Sequence, residues 1–532
     1  MAKNNSTETG KEKPGKMEVF YNNAEWFIVA ICVTLVFIVF QMQAYTIPTG
    51  SMADTLKGAH FRLRCSQCAY QFDYNFSAGN YRDKGIPENK TPGYNVGIRP
   101  LPPRCPSCGF YQDLAKGGYF LETGQTGDMP VMKGDRIFVL KCIYQFQEPK
   151  RWDVIVFKNP TQPEINYIKR LVGLPGETVE IIDGNIFIDG KIVRKNDKVQ
   201  EELWMPVYDN DYQPARPEEE RFNRHSWKQP FVNEDDSKWE LESDSVGVFN
   251  LSSNADDINY IVYDTSLGND FRATYAYDDA LWYSRMPVCS DIMVRYYVSR
   301  SSDGISGVGL SKYGRRYRAW VEPSGNMVIG EINDRGETVD LIRTKIEMPA
   351  FGDSVLLRFA NVDHQLVFEF AGEKLVYDLG VLPDSAGQWP SEEMPRAAIF
   401  GSGDIELSHV GVLRDIHYLS REYRNGGVLL RGGEGNPITL GEDEFFVLGD
   451  NSPMSADSRY WQINGNGNGD TEYRMGIVPR DYLVGKAFFV YWPGPYKPSD
   501  KFIRIVPNID GMKVIYGGGE DKSKISKYEI KF

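Results

Sequence analysis

A serine in a tight turn is the first residue of this chain whose type and setting could do chemistry. Ser51 lies in Pro48-Thr-Gly-Ser-Met52, between a glycine and a methionine. A serine in such a turn can act as a nucleophile whose neighbouring backbone N–H groups face an oxyanion. The pattern is weak on its own, because most serines beside a glycine are simply turn residues. Ser51 therefore requires a base elsewhere in the sequence.

The base that the sequence indicates is a lysine, since none of the five histidines lies in a dense polar motif. Lys169 lies in Tyr167-Ile-Lys-Arg-Leu-Val-Gly-Leu-Pro-Gly176, an apolar strand that runs into a turn. At its ordinary pKa of ~10.4 a lysine is neutral in about 1 molecule in 2,500 at pH 7, whereas a pKa of ~8 makes about a tenth neutral. Burial shifts the pKa of a lysine in that direction. The alternative is a strand-edge lysine that only guards against aggregation.

A polar loop supplies the groups that could orient this lysine. Gly449-Asp-Asn-Ser-Pro-Met-Ser-Ala-Asp-Ser-Arg459 is dense in carboxylate, amide and hydroxyl side chains. Such a network can hold an amine in place without fixing its charge. The alternative is a cluster of Asx and Ser turns that follows a strand.

Taken together, the three motifs resemble the type I signal peptidases, a family of membrane-bound Ser/Lys proteases. Two further elements agree with that family, Gly134-Asp-Arg-Ile-Phe-Val-Leu-Lys141 and Gly476-Ile-Val-Pro479, as does the order of all the motifs behind an apolar N-terminal segment. The resemblance covers about residues 20–57, 130–200 and 430–495, which is under half of the chain.

The resemblance implies a role for each matching residue. Ser51 would be the nucleophile and Lys169 the general base. The Ser51 backbone N–H and the Thr49 hydroxyl would form the oxyanion hole, where the family usually has a serine in place of the threonine. Ser455 would donate a hydrogen bond that orients Lys169.

The remaining implied roles are structural or concern the substrate. Asp457 and Arg459 would form a supporting ion pair. Ser452 and Gln462 depart from the family pattern, which often has Arg and Gly there, but neither position carries the implied chemistry. The side chains expected to line shallow pockets for small substrate residues are Ile47, Met52, Leu56, Tyr167 and Ile168.

The function that the resemblance implies is removal of signal peptides from secretory precursors after Ala-X-Ala, with no cofactor for catalysis. The implied partners are signal peptides, membrane lipid and the secretion machinery. One alternative is a membrane-anchored protein that binds glycan or protein and keeps an inactive peptidase scaffold. A related Ser/Lys autoprotease of the repressor type is disfavoured by the N-terminal apolar segment. Nucleic acid is not expected as a partner, because 60 basic against 73 acidic residues give a net charge of −13 without a basic block.

The N-terminus predicts a single membrane anchor. Residues 1–23 are a polar tail, and residues 24–45 are the expected transmembrane helix, since Trp26 to Phe40 carry no charge. A cleaved secretory signal is the alternative, but only Ala44 fits the small residues that a cleavage site needs. The lysines of the tail favour an N-terminus inside the cell. We therefore expect a single-pass protein of the inner membrane with its catalytic domain outside the cytoplasm.

The remaining chain predicts a mainly β fold. The catalytic core is expected to consist of residues 46–57, 134–203 and 426–495, with a polar C-terminal tail at 496–532. Residues 204–425 contain many short alternating strands and are similar to a concanavalin-like β-sandwich (jelly roll), inserted into the core. Its ligand would be a glycan or a protein, which a fold alone does not specify.

A second insertion, residues 58–133, contains paired cysteines and is expected to be a zinc ribbon. Two C-x2-C pairs present four thiolates, the number that a tetrahedral structural Zn²⁺ takes. The alternative is two disulfides formed across the pairs, which an extracytoplasmic location permits. The four candidate metal ligands are Cys65, Cys68, Cys105 and Cys108.

Overall fold

The structure is a computed structural model in which strands predominate, as the sequence predicts. It describes residues 16–36, 41–75, 95–96, 103–112, 129–130, 132–218, 226–242, 247–274, 276–277, 284–380, 394–423, 427–466, 472–492 and 512–518.

The helices and strands fall into three stretches of the chain. The helices are α1 Lys16–Val36, α2 Ile143–Phe146 and α3 Asp197–Leu203. The strands of the first stretch are β1 Met42–Thr46, β2 His60–Arg64, β3 Gln71–Asn75, β4 Asn95–Val96, β5 Met129–Pro130, β6 Arg136–Leu140, β7 Val154–Asn159, β8 Gln162–Gly173, β9 Thr178–Ile182, β10 Asn185–Ile188 and β11 Lys191–Ile192. Those of the second stretch are β12 Met205–Asp209, β13 Phe231–Asn233, β14 Phe249–Ser252, β15 Asn259–Tyr263, β16 Ile292–Arg300, β17 Ser306–Lys312, β18 Arg315–Val321, β19 Asn326–Ile332, β20 Thr338–Lys345, β21 Val355–Val362, β22 Gln365–Phe370, β23 Glu373–Asp378, β24 Ala397–Gly401 and β25 Asp404–Arg414. Those of the third are β26 Arg421–Glu422, β27 Val428–Leu429, β28 Ile438–Thr439, β29 Glu444–Leu448, β30 Gly465–Asn466, β31 Glu472–Tyr473, β32 Val478–Pro479, β33 Leu483–Trp492 and β34 Lys513–Val514.

The N-terminal segment forms a helix and then a strand. None of the helices in the described residues combines the length and the hydropathy that a membrane span requires. The predicted anchor extends to residue 45, whereas β1 begins at Met42 and pairs with β6 from Met42↔Leu140 to Thr46↔Arg136. The last four residues of the predicted anchor therefore belong to the core sheet, because β6 satisfies their backbone hydrogen bonds. The membrane anchor itself stays a prediction.

The core sheet brings the chemical motifs together. Its strand order is β1-β6-β33-β7-β8-β29-β32, with β34 paired to β33. Lys169 lies on β8, and β29 pairs with the following residues of that strand, Leu448 opposite Arg170. The polar loop that begins at Gly449 therefore leaves the sheet beside Lys169. A smaller sheet, β11-β10-β9-β28, continues the core.

The second stretch of strands forms two seven-stranded sheets. Their orders are β12-β25-β16-β21-β22-β23, with β14 on β25, and β13-β15-β24-β17-β18-β19-β20. Alternate side chains of β22 are buried, which is the period expected for a strand with one face in a core. The turn between β21 and β22 is only two residues long, and both Asp363 and His364 have positive φ, as hairpin turns of this length require.

The C-terminal segment differs from the polar tail that the sequence predicts. Residues 512–518 contain β34, which adds to β33 through Val514↔Phe489, and Ile515 is buried in the core. The Gly518 carbonyl also accepts a hydrogen bond from the side chain of Asn196 at 2.6 Å. An apolar side chain and backbone pairing thus anchor a segment whose composition is otherwise polar.

Candidate active site

The turn that carries Ser51 is fixed by backbone hydrogen bonds on both sides. Within the turn, Ala53 N–H donates to the Gly50 carbonyl at 3.1 Å. From the polar loop, Asn451 donates twice: its side-chain amide to the Gly50 carbonyl at 3.1 Å and its backbone N–H to the Ser51 carbonyl at 3.1 Å. Because the loop follows β29 and the turn follows β1, these bonds join opposite parts of the core at the serine.

Lys169 and Ser51 are in direct contact. Lys169 Nζ donates a hydrogen bond to Ser51 Oγ at 2.7 Å, and a second one to the Ile168 carbonyl at 2.9 Å. The two residues are 4% and 8% exposed, although they are 118 positions apart in the sequence. The pair is therefore held in a site from which water is largely excluded.

Burial also changes the acidity of the lysine. Removal from water lowers the pKa of Lys169 to about 8, while the negative charges of Asp457 and Asp450 oppose the shift. Arg459 lowers the pKa further through like-charge repulsion. A measurable fraction of Lys169 is consequently neutral near pH 7, and a neutral amine can accept the proton of the Ser51 hydroxyl.

Asp457 and Arg459 form the expected ion pair, and both side chains are fully buried. Arg459 Nε and Nη2 donate to the two carboxylate oxygens at 2.9 and 2.7 Å. The Asp457 carboxylate also accepts a hydrogen bond from Gly449 N–H at 2.9 Å, which joins the first residue of the polar loop to a residue near its end. Ser452, which departs from the family pattern, accepts hydrogen bonds from Arg459 Nη1 at 2.7 Å and from Leu419 N–H at 2.8 Å. A serine here links the loop to the end of the sandwich insertion.

A second buried ion pair lies next to Lys169 and was not expected from the sequence. Arg170 donates to both carboxylate oxygens of Asp450 at 2.8 and 2.7 Å, and neither side chain is exposed. Arg170 also donates to the carbonyls of Trp152 and Tyr516 at 3.0 and 3.3 Å. The only sequence signals were the position of Arg170 next to Lys169 and that of Asp450 in the polar loop.

Replacing Asp450 with alanine is expected to destabilise the core by about 3–5 kcal/mol, because it leaves the Arg170 charge buried without its bidentate partner. Denaturant unfolding of the two proteins would measure this difference. The matched control is Asp257→Ala, which removes the exposed partner of Lys238 and should change stability by about 0–1 kcal/mol. Equal small effects for both variants would contradict a structural role for the buried pair.

One expected hydrogen bond of the site, from Ser455 to Lys169, is not formed. Ser455 is buried, but its Oγ has no hydrogen-bond partner among the described residues, so the predicted bond to Lys169 is absent. The donors of Lys169 are instead directed at Ser51 Oγ and the Ile168 carbonyl. Thr49 is exposed at the start of the turn, and its role in the oxyanion hole stays a prediction.

The residues expected to contact substrate are divided between surface and core. Tyr167 and Ile168 are half-buried beside Lys169, and Ile47 is almost fully buried. Met52 and Leu56 are 0% exposed and pack in the core, so the expectation that they line an open pocket is wrong for this structure. The reason is local: Leu56 N–H donates to the Met52 carbonyl at 2.7 Å, and this turn directs both side chains inward.

The four clustered cysteines lie together, in what we call the cysteine module (residues 58–75 and 103–112). All four sulfurs lie within 4.8 Å of one another, with Cys65–Cys108 at 3.7 Å and Cys68–Cys105 at 3.6 Å. A disulfide requires ~2.05 Å. Sulfurs bound at ~2.3 Å to one tetrahedral zinc ion would be ~3.7–3.8 Å apart, which fits these separations.

Both cysteine pairs have the same backbone turn. Cys65 N–H donates to Tyr70 O and Ala69 N–H to Cys65 O, at 2.8 and 3.0 Å. In the second pair, Cys105 N–H donates to Phe110 O and Gly109 N–H to Cys105 O, both at 3.0 Å. Gln112 Nε2 additionally donates to Cys65 Sγ at 3.1 Å, as expected around a thiolate ligand.

Comparisons with known proteins agree with the geometry of the core. The model of the family described as "Signal peptidase, peptidase S26" matches residues 122–252 and 421–492. Signal peptidase I of Rickettsia massiliae is 25% identical over 195 residues, which are 37% of this chain and 49% of the relative. Signal peptidase I of Rickettsia typhi is 26% identical over 171 residues, 32% of this chain and 44% of the relative. The chain thus matches about half of the length of these relatives.

Solved structures show only a slight likeness to this chain. The carbohydrate binding module CBM66 from Bacillus subtilis has a TM-score of 0.23 and 8% identity, covering 34% of this chain and 94% of its own. Sheep galectin-11 has a TM-score of 0.19 and 15% identity, covering 24% and 92%. These scores are too low to support an argument, and the glycan or protein ligand expected for the sandwich stays a prediction. The matched part of the chain, which supplies Lys169 and the loop around Asp450, is similar to the signal peptidase family, peptidase S26.

Proposed function

We propose that this protein is a type I signal peptidase, a membrane-bound serine endopeptidase that removes signal peptides from secretory precursors after small residues. The observation that carries the proposal is the 2.7 Å hydrogen bond between Lys169 Nζ and Ser51 Oγ in a buried site. Nucleophile and base are within the distance at which a proton can be transferred directly.

The proposed mechanism uses only side chains of this chain. Neutral Lys169 takes the proton of the Ser51 hydroxyl as Oγ attacks the carbonyl carbon of the scissile bond. The Ser51 backbone N–H and the Thr49 hydroxyl stabilise the resulting oxyanion. Protonated Lys169 then gives its proton to the leaving amine as the C–N bond breaks, and an acyl-serine remains. Water, deprotonated by Lys169, hydrolyses this ester and restores both residues.

The substrate would bind along β8. The outer edge of this strand pairs with β29 only from Arg170 to Gly173, and no described strand pairs with residues 164–168 on that side. An extended peptide can add to an open strand edge through main-chain hydrogen bonds. Its path would end at Lys169, with Tyr167 and Ile168 beside the small residues of the peptide. The spare hydroxyl of Ser455 would orient Lys169 during the reaction.

Attachment to the membrane through the N-terminus is part of the proposal. Helix α1 has large apolar side chains that stay exposed to the surroundings, and a lipid environment would remove them from water. These side chains are Trp26, Phe27, Ile28, Val29, Ile31 and Val33. We propose a single-pass orientation with the N-terminus inside, which leaves the catalytic core on the side where signal peptides are cleaved.

A structural zinc ion in the cysteine module completes the proposal. The four buried thiols at tetrahedral separations would hold it, and four cysteine ligands leave no open position for catalysis.

The experiment that tests the proposed function is cleavage of a secretory precursor by the detergent-solubilised protein, followed by sequencing of the new N-terminus. We expect one cut directly after an Ala-X-Ala segment. Binding without cleavage would instead favour an inactive scaffold that only recognises its ligand.

The pH dependence of cleavage is expected to follow Lys169. Because burial lowers its pKa to about 8, the active neutral form increases as the pH rises toward that value. The kcat/KM at pH 7 should be about a tenth of its plateau, and at pH 6 about a hundredth. Circular dichroism over the same range serves as a control for unfolding. A rate that does not change between pH 6 and 9 would rule out a lysine base for the limiting step.

A further inference from the structure

The sandwich insertion contributes a residue to the surroundings of the nucleophile. Tyr277, in the connection between β15 and β16 of the sandwich, lies beside the turn of Ser51. Tyr277, in this connection, is 0% exposed and packs in the core cluster that also contains Ala53 and Leu448. A side chain from an insertion outside the core sheet is therefore buried within the catalytic core.

The ring of Tyr277 lies directly against Gly50, the residue before the nucleophile. A Cβ atom placed on Gly50 would be 2.1 Å from Tyr277 Cε1, and the three heavy atoms nearest to it all belong to this ring. Gly50 is not among the glycines with positive φ, so its backbone would accept alanine. The Tyr277 ring is thus the group that excludes a side chain at this position.

Hydrogen bonds fix the position of Tyr277. Its hydroxyl donates to the Ala59 carbonyl at 3.3 Å, and its carbonyl accepts from Asn75 N–H at 3.0 Å. Ala59 directly precedes β2 and Asn75 ends β3, so both partners belong to the β2–β3 hairpin and its start after Ser51. The turn at Gly50 and Ser51 is therefore held by the contact with the Tyr277 ring and by the two hydrogen bonds from Asn451.

We propose that Tyr277 is a positioning residue, supplied by the sandwich insertion, that sets the location of Ser51 relative to Lys169. This inference rests on the proposed function. The ring acts through its contact with Gly50. Its importance follows from the short Lys169–Ser51 hydrogen bond, because a displacement of ~1 Å in a reacting group can reduce a rate ~100-fold.

The first test compares Tyr277→Leu with Tyr277→Phe. We expect Tyr277→Leu to lower kcat at least ~10-fold while KM changes less than about twofold, since substrate binding along β8 is untouched. Tyr277→Phe keeps the ring and should stay within about threefold of the wild type. Thermal melting shows that each variant is folded at the assay temperature.

The matched control is Tyr296→Leu in the sandwich core, another fully buried tyrosine, whose hydroxyl lies 3.0 Å from Ser306 Oγ. It should lower the melting temperature without changing kcat. If Tyr277→Leu behaves in the same way, Tyr277 only stabilises the fold and the inference is wrong.

A second test changes the contact between Gly50 and the Tyr277 ring. Gly50→Ala should lower kcat ~10-fold or more by pushing the turn away from the ring. In the double variant Gly50→Ala/Tyr277→Leu the added methyl group has space, so the combined loss should be no larger than that of Gly50→Ala alone. If the fold-losses in kcat of the two single variants multiply in the double variant, the two residues act independently. That result would contradict the proposed contact.

Assays of the wild type and of Ser51→Ala beside Tyr277→Leu distinguish a failure of the proposed function from a failure of the inference about Tyr277. No precursor cleavage by the wild type would overturn the proposed function and the inference with it. Cleavage by the wild type, none by Ser51→Ala and full activity of Tyr277→Leu would overturn the inference alone.

Discussion

Alanine at either Ser51 or Lys169 is expected to abolish precursor cleavage, with a loss of at least ~10³-fold in kcat and a protein that still folds. Ser51→Ala removes the atom that attacks the carbonyl carbon. Lys169→Ala removes the base, and the described residues give the Ser51 hydroxyl no other hydrogen-bonded acceptor for its proton. Folding should survive because each of these polar groups bonds chiefly to the other.

The control for the lysine is Lys158→Ala on the neighbouring strand β7, an exposed position whose loss should leave cleavage unchanged. The double variant Ser51→Ala/Lys169→Ala should be no less active than either single variant, because residues that act as a unit give non-additive losses. Cleavage at the wild-type rate by either single variant would exclude the Ser/Lys dyad.

The parts of the site that the sequence predicted are those whose residues lie in short, dense motifs. These motifs contain Ser51, Lys169, and the pair of Asp457 and Arg459. In each of them, the side chain in question has few alternative roles. The pair of Arg170 and Asp450 was missed, since its members are 280 positions apart and nothing local indicates which charge meets which. Pairing across the sheet, between β8 and the loop after β29, decides that contact.

Side-chain direction in turns was harder to predict than strand alternation. The strands of the sandwich follow a period of two residues, so their buried faces can be read from the sequence. Met52 and Leu56 lie in a turn without a fixed period, and one backbone hydrogen bond directs both into the core. Tyr277 carries no motif at all, and only the tertiary path of the insertion brings it to Gly50.

Loss of zinc is expected to unfold the cysteine module. Its core contains few apolar side chains besides the four cysteines, namely Ala59, Phe61, Leu63, Phe72, Tyr74 and Phe110. Zinc binding in small four-ligand sites supplies ~10–16 kcal/mol, which is folding free energy when the unfolded chain has no preformed site. Elemental analysis should find one equivalent of zinc in the wild type and none in Cys65→Ser/Cys105→Ser, and the variant should lose the thermal transition of the module. Cys289→Ser, a buried cysteine outside the cluster, is the matched control and should keep the metal.

The same variant should also cleave precursor more slowly, although its dyad is intact. The Lys57 side chain, six positions after Ser51, pairs with Asp73 on β3 of the module, and its backbone N–H donates to Asp135 Oδ2 of the core at 2.8 Å. Unfolding of the module removes the first of these contacts and the bond from Asn75 to Tyr277, so the segment after the nucleophile loses two supports. Slower cleavage with an unchanged pH profile would place the effect on Ser51 and not on Lys169. Metal-free protein whose four thiols resist alkylation until a reductant is added would instead show two disulfides, and the module would then be stabilised by covalent bonds.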